Sequence, residues 1–160
     1  MLNYNKLVFN LKKIYNKIIM QLKVKKIHKD AKLPTHGHPG DAGIDFYSIE
    51  EVVFPALSQM RVRTGVVIEI GEGCVGLIWD KSGISFNLGL KIMGGVIDAG
   101  FRGELTMSLF NTKNEEVVLE KGHKIAQMII QKFENCDIVE VDELSETIRG
   151  AGREWSTGKK

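Results

Sequence analysis

The chain has 160 residues, of which 43% are hydrophobic and 26% charged, a composition typical of one soluble globular domain with a packed core. No apolar run approaches the roughly 18–20 residues that a membrane-spanning helix needs. Residues 1–32 contain nine lysines and one acid, which gives them a net charge of +8. Because the whole chain has a net charge of +2, residues 33–160 have a net charge of −6. This acidic body has no basic patch with interleaved aromatic residues, and we expect residues 20–160 to bind neither nucleic acid nor membrane.

Residues 1–19 differ in composition from the rest of the chain. They are rich in Asn, Lys, Ile and Tyr, and Leu7, Leu11 and Ile14 have helical spacing. Three interpretations are open: an interfacial amphipathic helix, a targeting segment, and an artefact of start-site assignment. The last is favoured because Met20 begins a segment that is typical of a domain starting with a strand.

From Leu22 onward apolar and polar residues mostly alternate, which predicts β-strands separated by turns. Many short strands with Gly-rich turns indicate an all-β sandwich or barrel, and only residues 80–87 allow a short helix. The tail RGAGREWSTGKK has no apolar periodicity and is predicted to be a mobile arm. The predicted strands cover residues 22–27, 43–49, 59–70, 74–79, 88–93, 103–111, 115–122, 124–133 and 136–144.

The two cysteines bear on the cellular compartment. Cys74 and Cys136 have no metal-binding spacing. A disulfide framework needs more cysteines than this, so we predict two free thiols and a cytoplasmic protein.

The segment GGVIDAGFRGEL places a carboxylate, Asp98, directly after Val96 and Ile97 and among four glycines. A surface turn is one interpretation, because Asp and Gly are the commonest turn residues. A functional site is the other, because a carboxylate at the end of an apolar strand is costly unless it is paired or hydrogen-bonded.

Four further segments carry polar residues in unusual settings. DAGIDFYS has two carboxylates, Asp41 and Asp45, around an Ala-Gly pair. DKSGIS puts Lys81, a hydroxyl and a glycine in succession, and this combination of charge, donor and bare backbone is suited to holding phosphate. KGHKIAQMII places Gln127 in an apolar strand, and the tail combines cations, hydroxyls and an aromatic ring.

The order of these five segments resembles the five motifs of the homotrimeric deoxyuridine triphosphatases, the dUTPases. The resemblance covers roughly residues 20–158 and is most specific in GGVIDAGFRGE. It implies a single all-β domain over residues 20–148, a distorted β-barrel of jelly-roll type, with residues 149–160 as an arm that closes over the nucleotide. It also implies a homotrimer with active sites shared between subunits. The implied reaction is hydrolysis of dUTP to dUMP and pyrophosphate, which limits uracil incorporation into DNA and supplies dUMP for dTMP synthesis.

The resemblance further implies roles for single residues. Asp98 would orient and deprotonate the water that attacks the α-phosphorus, and we expect Val96 and Ile97 to fix its carboxylate and raise its basicity by desolvation. Asp45 would help hold hydrated Mg²⁺ on the triphosphate, indirectly through water, whereas Asp41 fits a turn. Main-chain groups of the hairpin around the paired glycines would hold uracil. The implied nucleotide-binding residues are Lys81, Ser82, Gly83, Gly95, Val96, Ile97, Phe101, Gln127, Arg149, Trp155, Ser156 and Thr157.

Three features depart from the family pattern. Lys81 stands where Arg is usual and loses the bidentate fork, while Phe101 stands where Tyr is usual and keeps the ring that would exclude a 2′-hydroxyl. The tail reads GREWSTG where Gly-Phe-Gly-Ser-Thr-Gly is usual. The altered motifs keep a non-catalytic nucleotide-binding regulator open as an alternative. The shared fold keeps open a dCTP deaminase-like or bifunctional relative, although VIDAGFRGEL is the hydrolase-like form.

A chain that begins at Met20 tests the start-site interpretation. Removing residues 1–19 takes away four lysines and no acid, which changes the net charge from +2 to −2. We expect the shortened chain to fold, to form the same oligomer and to hydrolyse dUTP like the full chain. Light scattering and a pyrophosphate-release assay measure both properties, and loss of either would show that residues 1–19 are structural.

Overall fold

The structure, a computed structural model, describes residues 20–148 and Gly150. The predictions for residues 1–19 and for Arg149, Trp155, Ser156 and Thr157 in the arm lie outside the described residues. Within residues 20–148, no helix has the length and apolar character to span a bilayer.

The described residues form eleven strands and one short helical turn, Ile84–Leu88. This helical turn lies within the region where the sequence allows a helix. The strands are β1 Lys23–Lys26, β2 Thr35–His36, β3 Ile44–Tyr47, β4 Val52–Phe54, β5 Gln59–Glu69, β6 Cys74–Trp79, β7 Leu90–Ile92, β8 Val96–Asp98, β9 Glu104–Asn111, β10 Val117–Leu119 and β11 Lys124–Lys132.

These strands form three antiparallel sheets, which confirms the all-β prediction. The two larger sheets have the strand orders β1-β5-β9-β7 and β2-β3-β11-β6-β8, and the smallest pairs β10 with β4. No ladder in the described part of the chain joins one sheet to another, so the architecture is jelly-roll-like and not a closed barrel.

Strand β5 shows how the sequence specifies the two faces of a sheet. Val62, Thr64, Val66 and Ile68 are buried, and Arg63, which lies between Val62 and Thr64, is exposed. Successive side chains on a strand point to opposite faces, so one face joins the core and the other meets solvent.

The core lies between the two larger sheets. Val62 and Leu109 of the first sheet and Phe46, Ile125 and Met128 of the second are almost completely buried. Burying each such side chain contributes roughly 1.5–3 kcal/mol of hydrophobic free energy. The core therefore holds the sheets at a fixed spacing, on which the loops between their strands depend.

The strand predicted over residues 136–144 does not form within the single chain. No ladder or backbone–backbone hydrogen bond among the described residues includes residues 134–146. Ile138 is 100% exposed and Leu144 87% exposed. The apolar alternation suits a strand, but a strand needs a partner edge, and residues 20–133 supply none to this segment.

Asn111, at the end of β9, is a completely buried amide that ties three segments together. Its Nδ2 donates to the carbonyl oxygens of Phe54 at 3.2 Å, Pro55 at 2.9 Å and Glu115 at 2.8 Å. Its Oδ1 accepts from the N–H of Lys113 at 2.9 Å. The buried amide is therefore satisfied, and it fixes the turn after β9 against the end of β4.

We expect Asn111→Ala to lower the free energy of unfolding by about 2–3 kcal/mol, because buried carbonyl groups lose their donor. Asn114→Ala, an exposed amide in the same turn, is the matched control and should change stability by less than about 0.5 kcal/mol. Urea denaturation at one fixed protein concentration measures both. Equal effects of the two substitutions would contradict the role of Asn111.

Candidate active site

The residues singled out in the sequence fall into two groups, one after the C-terminal end of β6 and one on residues 90–98, whose last residue, Asp98, lies near the other end of β6. At one end, β6 leads directly into Lys81, Ser82 and Gly83. At the other end, β8 pairs antiparallel with β6 and places Asp98 opposite Val75. Val75 lies four residues before the end of the strand, which is about 13 Å along it. One chain therefore keeps Asp98 and Lys81 apart.

The first group surrounds Asp45 on β3, a residue only 2% exposed. Lys81 Nζ donates to Asp45 Oδ1 at 2.8 Å, and Lys124 Nζ lies 2.8 Å from Asp45 Oδ2. Each oxygen of the buried carboxylate therefore faces one ammonium group. We call Gly43, Asp45, Lys81, Lys124 and Gln127 the lysine cradle.

The charges of the lysine cradle shift the pKa of Asp45 and Lys124. Burial is the largest single influence on Asp45 and raises its pKa, but the two ammonium groups together outweigh it and hold the pKa below the ordinary 3.8. The Asp45 carboxylate in turn raises the pKa of Lys124 above 10.5. With Lys81, two cations therefore face one anion, and the cradle has a surplus positive charge suited to an anionic ligand.

Gln127 completes the cradle from β11. It lies opposite Asp45 in one ladder and opposite Trp79 in the other, and its Nε2 donates to the carbonyl oxygen of Asp80 at 2.8 Å. A Cβ atom on Gly43 would lie 2.2 Å from Gln127 Oε1, so a larger residue at position 43 would displace this amide. The cradle borders a cavity of about 240 Å³.

The loop after β6 presents bare backbone beside the cradle. Ser82 and Gly83 are exposed, and nothing lies within 4 Å of the place where a Cβ atom on Gly83 would be. The N–H groups of Ile84 and Ser85 donate to the Lys81 carbonyl oxygen at 3.0 Å and 2.9 Å, which fixes the turn. The structure thus brings Lys81, Ser82, Gly83 and Gln127 to one place.

The second group lies on residues 90–98, which we call the glycine hairpin. Its first strand, β7, belongs to the sheet of β9, and its second, β8, belongs to the sheet of β6. Gly94 and Gly95, with φ of 84° and 142°, carry the chain between the sheets. A Cβ atom on Gly95 would lie 2.9 Å from the Ile78 carbonyl oxygen, and the Ile78 N–H donates to the Gly95 carbonyl oxygen at 2.7 Å. A cleft of about 310 Å³ adjoins this crossing.

Asp98 ends β8 and is exposed, and Val96 is 68% exposed. The desolvation that we expected from Val96 and Ile97 is therefore wrong for the single chain, because β8 is the edge strand of its sheet. A turn follows Asp98, because the Phe101 N–H donates to the Asp98 carbonyl oxygen at 3.0 Å. The Phe101 ring packs over Gly103, where a Cβ atom would lie 2.7 Å from it.

Asp41 has the turn role predicted for it. Its Oδ2 accepts from the N–H of His38 at 2.8 Å, and its own N–H donates to the His38 carbonyl oxygen at 3.2 Å. Residues 20–148 contain no cluster of three or more His, Cys, Asp or Glu side chains that could hold a metal ion by themselves.

Sequence reasoning missed two residues, Lys124 and Asp80. Lys124 is three positions from Gln127, so a regular strand would place their side chains on opposite faces. A register shift between Lys124 and Ala126 brings both to Asp45, and a bulge of this kind has no signature in KGHKIAQMII. Asp80 precedes Lys81 in DKSGIS, and its side chain reaches β7 instead of the cradle.

Comparison with known proteins decides the family. A dUTPase family model matches residues 29–158. The chain belongs to the dUTPase family. The deoxyuridine 5′-triphosphate nucleotidohydrolase of Paramecium bursaria Chlorella virus 1 is 40% identical over 137 residues, which are 86% of this chain and 97% of the relative. That of Clostridium kluyveri is 40% identical over 141 residues, 87% of this chain and 99% of the relative.

Solved dUTPase structures share the fold. The Staphylococcus bacteriophage 80alpha dUTPase with dUPNHPP aligns with a TM-score of 0.81 and 31% identity, over 86% of this chain and 98% of that chain. A variant dUTPase of S. aureus phage phi11, described for its coordination of a structural Mg(II) ion, aligns with a TM-score of 0.72 and 28% identity. That alignment covers 77% of this chain and 97% of the phage chain.

The lysine cradle of this dUTPase predicts a pH-dependent stability. Because the pKa of Asp45 is lowered in the folded state, its carboxylate stabilises the fold above the ordinary 3.8, and this contribution is lost as the pH falls through the lowered value. We expect Asp45→Asn to lower the free energy of unfolding at pH 7 by about 1–3 kcal/mol, since two lysines lose their counter-charge.

Urea denaturation of the parent and Asp45→Asn at pH 7 and at pH 3 measures this difference. It should shrink at the lower pH, because pH 3 lies below the ordinary pKa of 3.8 and folding of the parent must then remove a proton from the Asp45 carboxyl of the unfolded chain. Asp41→Asn, at an exposed carboxylate of the neighbouring turn, is the control and should change stability by less than about 0.5 kcal/mol. A difference that is independent of pH would contradict the charge pairing at Asp45.

Proposed function

We propose that this dUTPase hydrolyses dUTP to dUMP and pyrophosphate at sites shared between the copies of a homotrimer. The separation of Asp98 from the lysine cradle along β6 carries this proposal. A general base and the groups that hold the reacting phosphate must act within hydrogen-bond reach of one substrate. Within one chain these groups lie at opposite ends of a strand, so Asp98 of one copy must meet the cradle of another.

The exposed C-terminal segment supports an assembly of several copies. Five of its apolar residues are largely exposed and alternate with acidic ones: Ile138, Val139, Val141, Leu144 and Ile148. A monomer seldom exposes so many apolar side chains in one stretch, and an extended segment without a ladder in its own chain can add to a sheet of another copy. The predicted strand over residues 136–144 then forms only in the assembly.

The lysine cradle is the proposed site for the triphosphate. Lys81 and Lys124 supply positive charge, and Ser82, Gly83 and Gln127 supply hydrogen-bond donors beside them. Asp45 pairs with both lysines and holds them in place before the substrate arrives. Their rearrangement on binding therefore costs little free energy.

Asp98 is the proposed general base of another copy. Its exposed carboxylate accepts a proton from water while the water oxygen forms a bond to the α-phosphorus, and the bond from that phosphorus to the bridging oxygen breaks to release pyrophosphate. The backbone of the glycine hairpin, with Gly95, Val96 and Ile97, holds the base, and the Phe101 ring packs against the deoxyribose. Arg149, Trp155, Ser156 and Thr157 keep their predicted role in closing over the nucleotide.

Magnesium is the proposed cofactor, carried on the triphosphate. The cradle fits such an ion through water only, because Asp45 is its one carboxylate and both oxygens of that carboxylate already face a lysine. When bound, Mg²⁺ neutralises charge on the phosphate oxygens. Asp45 would accept a hydrogen bond from a water of the ion's shell, and Lys124 would keep the carboxylate charged.

We place the enzyme in the cytoplasm. Cys74 is buried and Cys136 exposed, and both are free thiols as predicted. Free thiols of this kind persist in a reducing compartment.

Mixing two inactive variants tests the shared site. Asp98→Asn should retain nucleotide binding and lose most hydrolysis, because an amide cannot accept the proton, and Lys81→Ala should lose phosphate binding. In randomly mixed hybrids, the intact cradle of one variant meets the intact Asp98 of the other at about one quarter of the sites, if each site uses two copies. We therefore expect recovery of up to about one quarter of the parent activity, measured by pyrophosphate release.

The control replaces the Lys81→Ala partner with a chain that carries both substitutions, which leaves no intact Asp98 and should restore nothing. Native mass spectrometry establishes that hybrids form. Hybrids without recovered activity would place each site within one chain. Hydrolysis by Asp98→Asn within about threefold of the parent would exclude Asp98 as the base, and a parent without pyrophosphate release from any deoxynucleotide would favour the non-catalytic alternative.

A further inference from the structure

We propose that Asp80 is a positioning residue that sets the base selectivity of the site by anchoring the glycine hairpin. This inference rests on the proposed function, in which the backbone of that hairpin holds the base. Asp80 belongs to neither group of site residues. Its side chain bonds to Lys91 and Ile92, and not to the residues of the cradle or to Asp98.

The side chain of Asp80 closes the free edge of β7. Its Oδ1 accepts from the N–H of Ile92 at 2.8 Å, and its Oδ2 pairs with Lys91 Nζ. β7 is the last strand of its sheet, with β9 on one side only. The Ile92 N–H therefore faces away from β9, and in the described structure the Asp80 carboxylate takes the place that a neighbouring strand would occupy.

The main chain of Asp80 is fixed by the other sheet. Asp80 directly follows β6, and Gln127 Nε2 on β11 donates to its carbonyl oxygen at 2.8 Å. The residue thus joins two sheets through two different groups, its carbonyl oxygen to β11 and its carboxylate to β7. Asp80 is also the residue before Lys81. One position in the chain therefore contacts the hairpin and leads into the cradle.

This anchor lies one residue before the part of the hairpin that has the least support of its own. Residues 93–95 cross between the sheets, and Gly94 has no atoms within 4 Å of the place of a Cβ atom. At its far end the crossing is held by the hydrogen bond between Ile78 and Gly95. At its near end two bonds hold it: the Met93 N–H donates to the Ser108 carbonyl oxygen at 2.9 Å, and the Ile92 N–H donates to Asp80. Without Asp80, only the β9 side of the near end remains fixed.

The chemical consequence falls on the base and not on the phosphates. A backbone that binds the edge of a pyrimidine distinguishes uracil from thymine and cytosine by the positions of a few N–H and C=O groups and by the room for one methyl group. A shift of a fraction of an ångström in the hairpin changes this selectivity. The triphosphate is the same in every deoxynucleotide, so a change in the cradle alters all substrates alike.

Steady-state kinetics of pyrophosphate release from dUTP, dTTP and dCTP test the inference. We expect Asp80→Ala to lower the ratio of kcat/KM for dUTP to that for dTTP at least tenfold, with most of the loss in KM for dUTP. Asp80→Asn keeps an oxygen for the Ile92 N–H and should keep the ratio within about threefold of the parent, as should Lys91→Met, which removes only the ion pair. Ser82→Ala, at the cradle, should lower kcat/KM for all three nucleotides by a similar factor.

A parent enzyme that does not prefer dUTP would overturn the proposed function, whatever Asp80 does. A selective parent together with an Asp80→Ala variant of unchanged ratio, and with the same oligomeric state, would overturn the role of Asp80 alone. If Asp80→Ala does not fold, Asp80→Glu displaces the carboxylate by one methylene group and should also reduce the ratio. An unchanged ratio in Asp80→Glu, or no recovery of selectivity in Asp80→Asn, would equally overturn it.

Discussion

Strand β6 pairs with β11 on one side and with β8 on the other, and the arrangement of the site follows from this position. The pairing with β11 brings Gln127 and the residues after β6 to Asp45. The antiparallel pairing with β8 carries Asp98 to the opposite end of the same strand. Strands are stiff, and their length is set by the rise per residue, so no side-chain rearrangement brings the two groups together. This separation within one chain is the reason for proposing a site that is shared between copies.

The lysine cradle has a cost as well as a use. Asp45 is buried, and a buried carboxylate destabilises a fold unless charges of opposite sign and hydrogen-bond donors surround it. Two lysines more than compensate its charge, which leaves a surplus of positive charge in the absence of a ligand. An anionic ligand removes that surplus, so occupancy of the site and stability of the domain are coupled. The features that hold the cradle together are the same ones that attract its ligand.

Local patterns in the sequence predicted local structure well. The alternation in β5 and the apolar run of β6 identify strands because burial alternates with the side-chain direction. The family motifs predicted that Lys81, Ser82, Gly83 and Gln127 lie close together. The sequence missed what depends on distant partners: Lys124 joins Asp45 through a bulge, and Asp80 caps a strand edge 12 residues later in the chain. Residues 136–144 and Asp98 differ from prediction for a similar reason, since no described part of the chain covers either of them.

Gly43 and Gln127 form a pair whose evolution is constrained jointly. Any side chain at position 43 would occupy the space of the Gln127 amide, and Gln127 is in turn held by the carbonyl oxygen of Asp80. A substitution at position 43 therefore displaces that amide from the Asp80 carbonyl oxygen unless position 127 has already become smaller. A smaller residue at position 127 lacks the amide that the cradle uses. The two positions, which are 84 apart in the chain, are therefore expected to be conserved together.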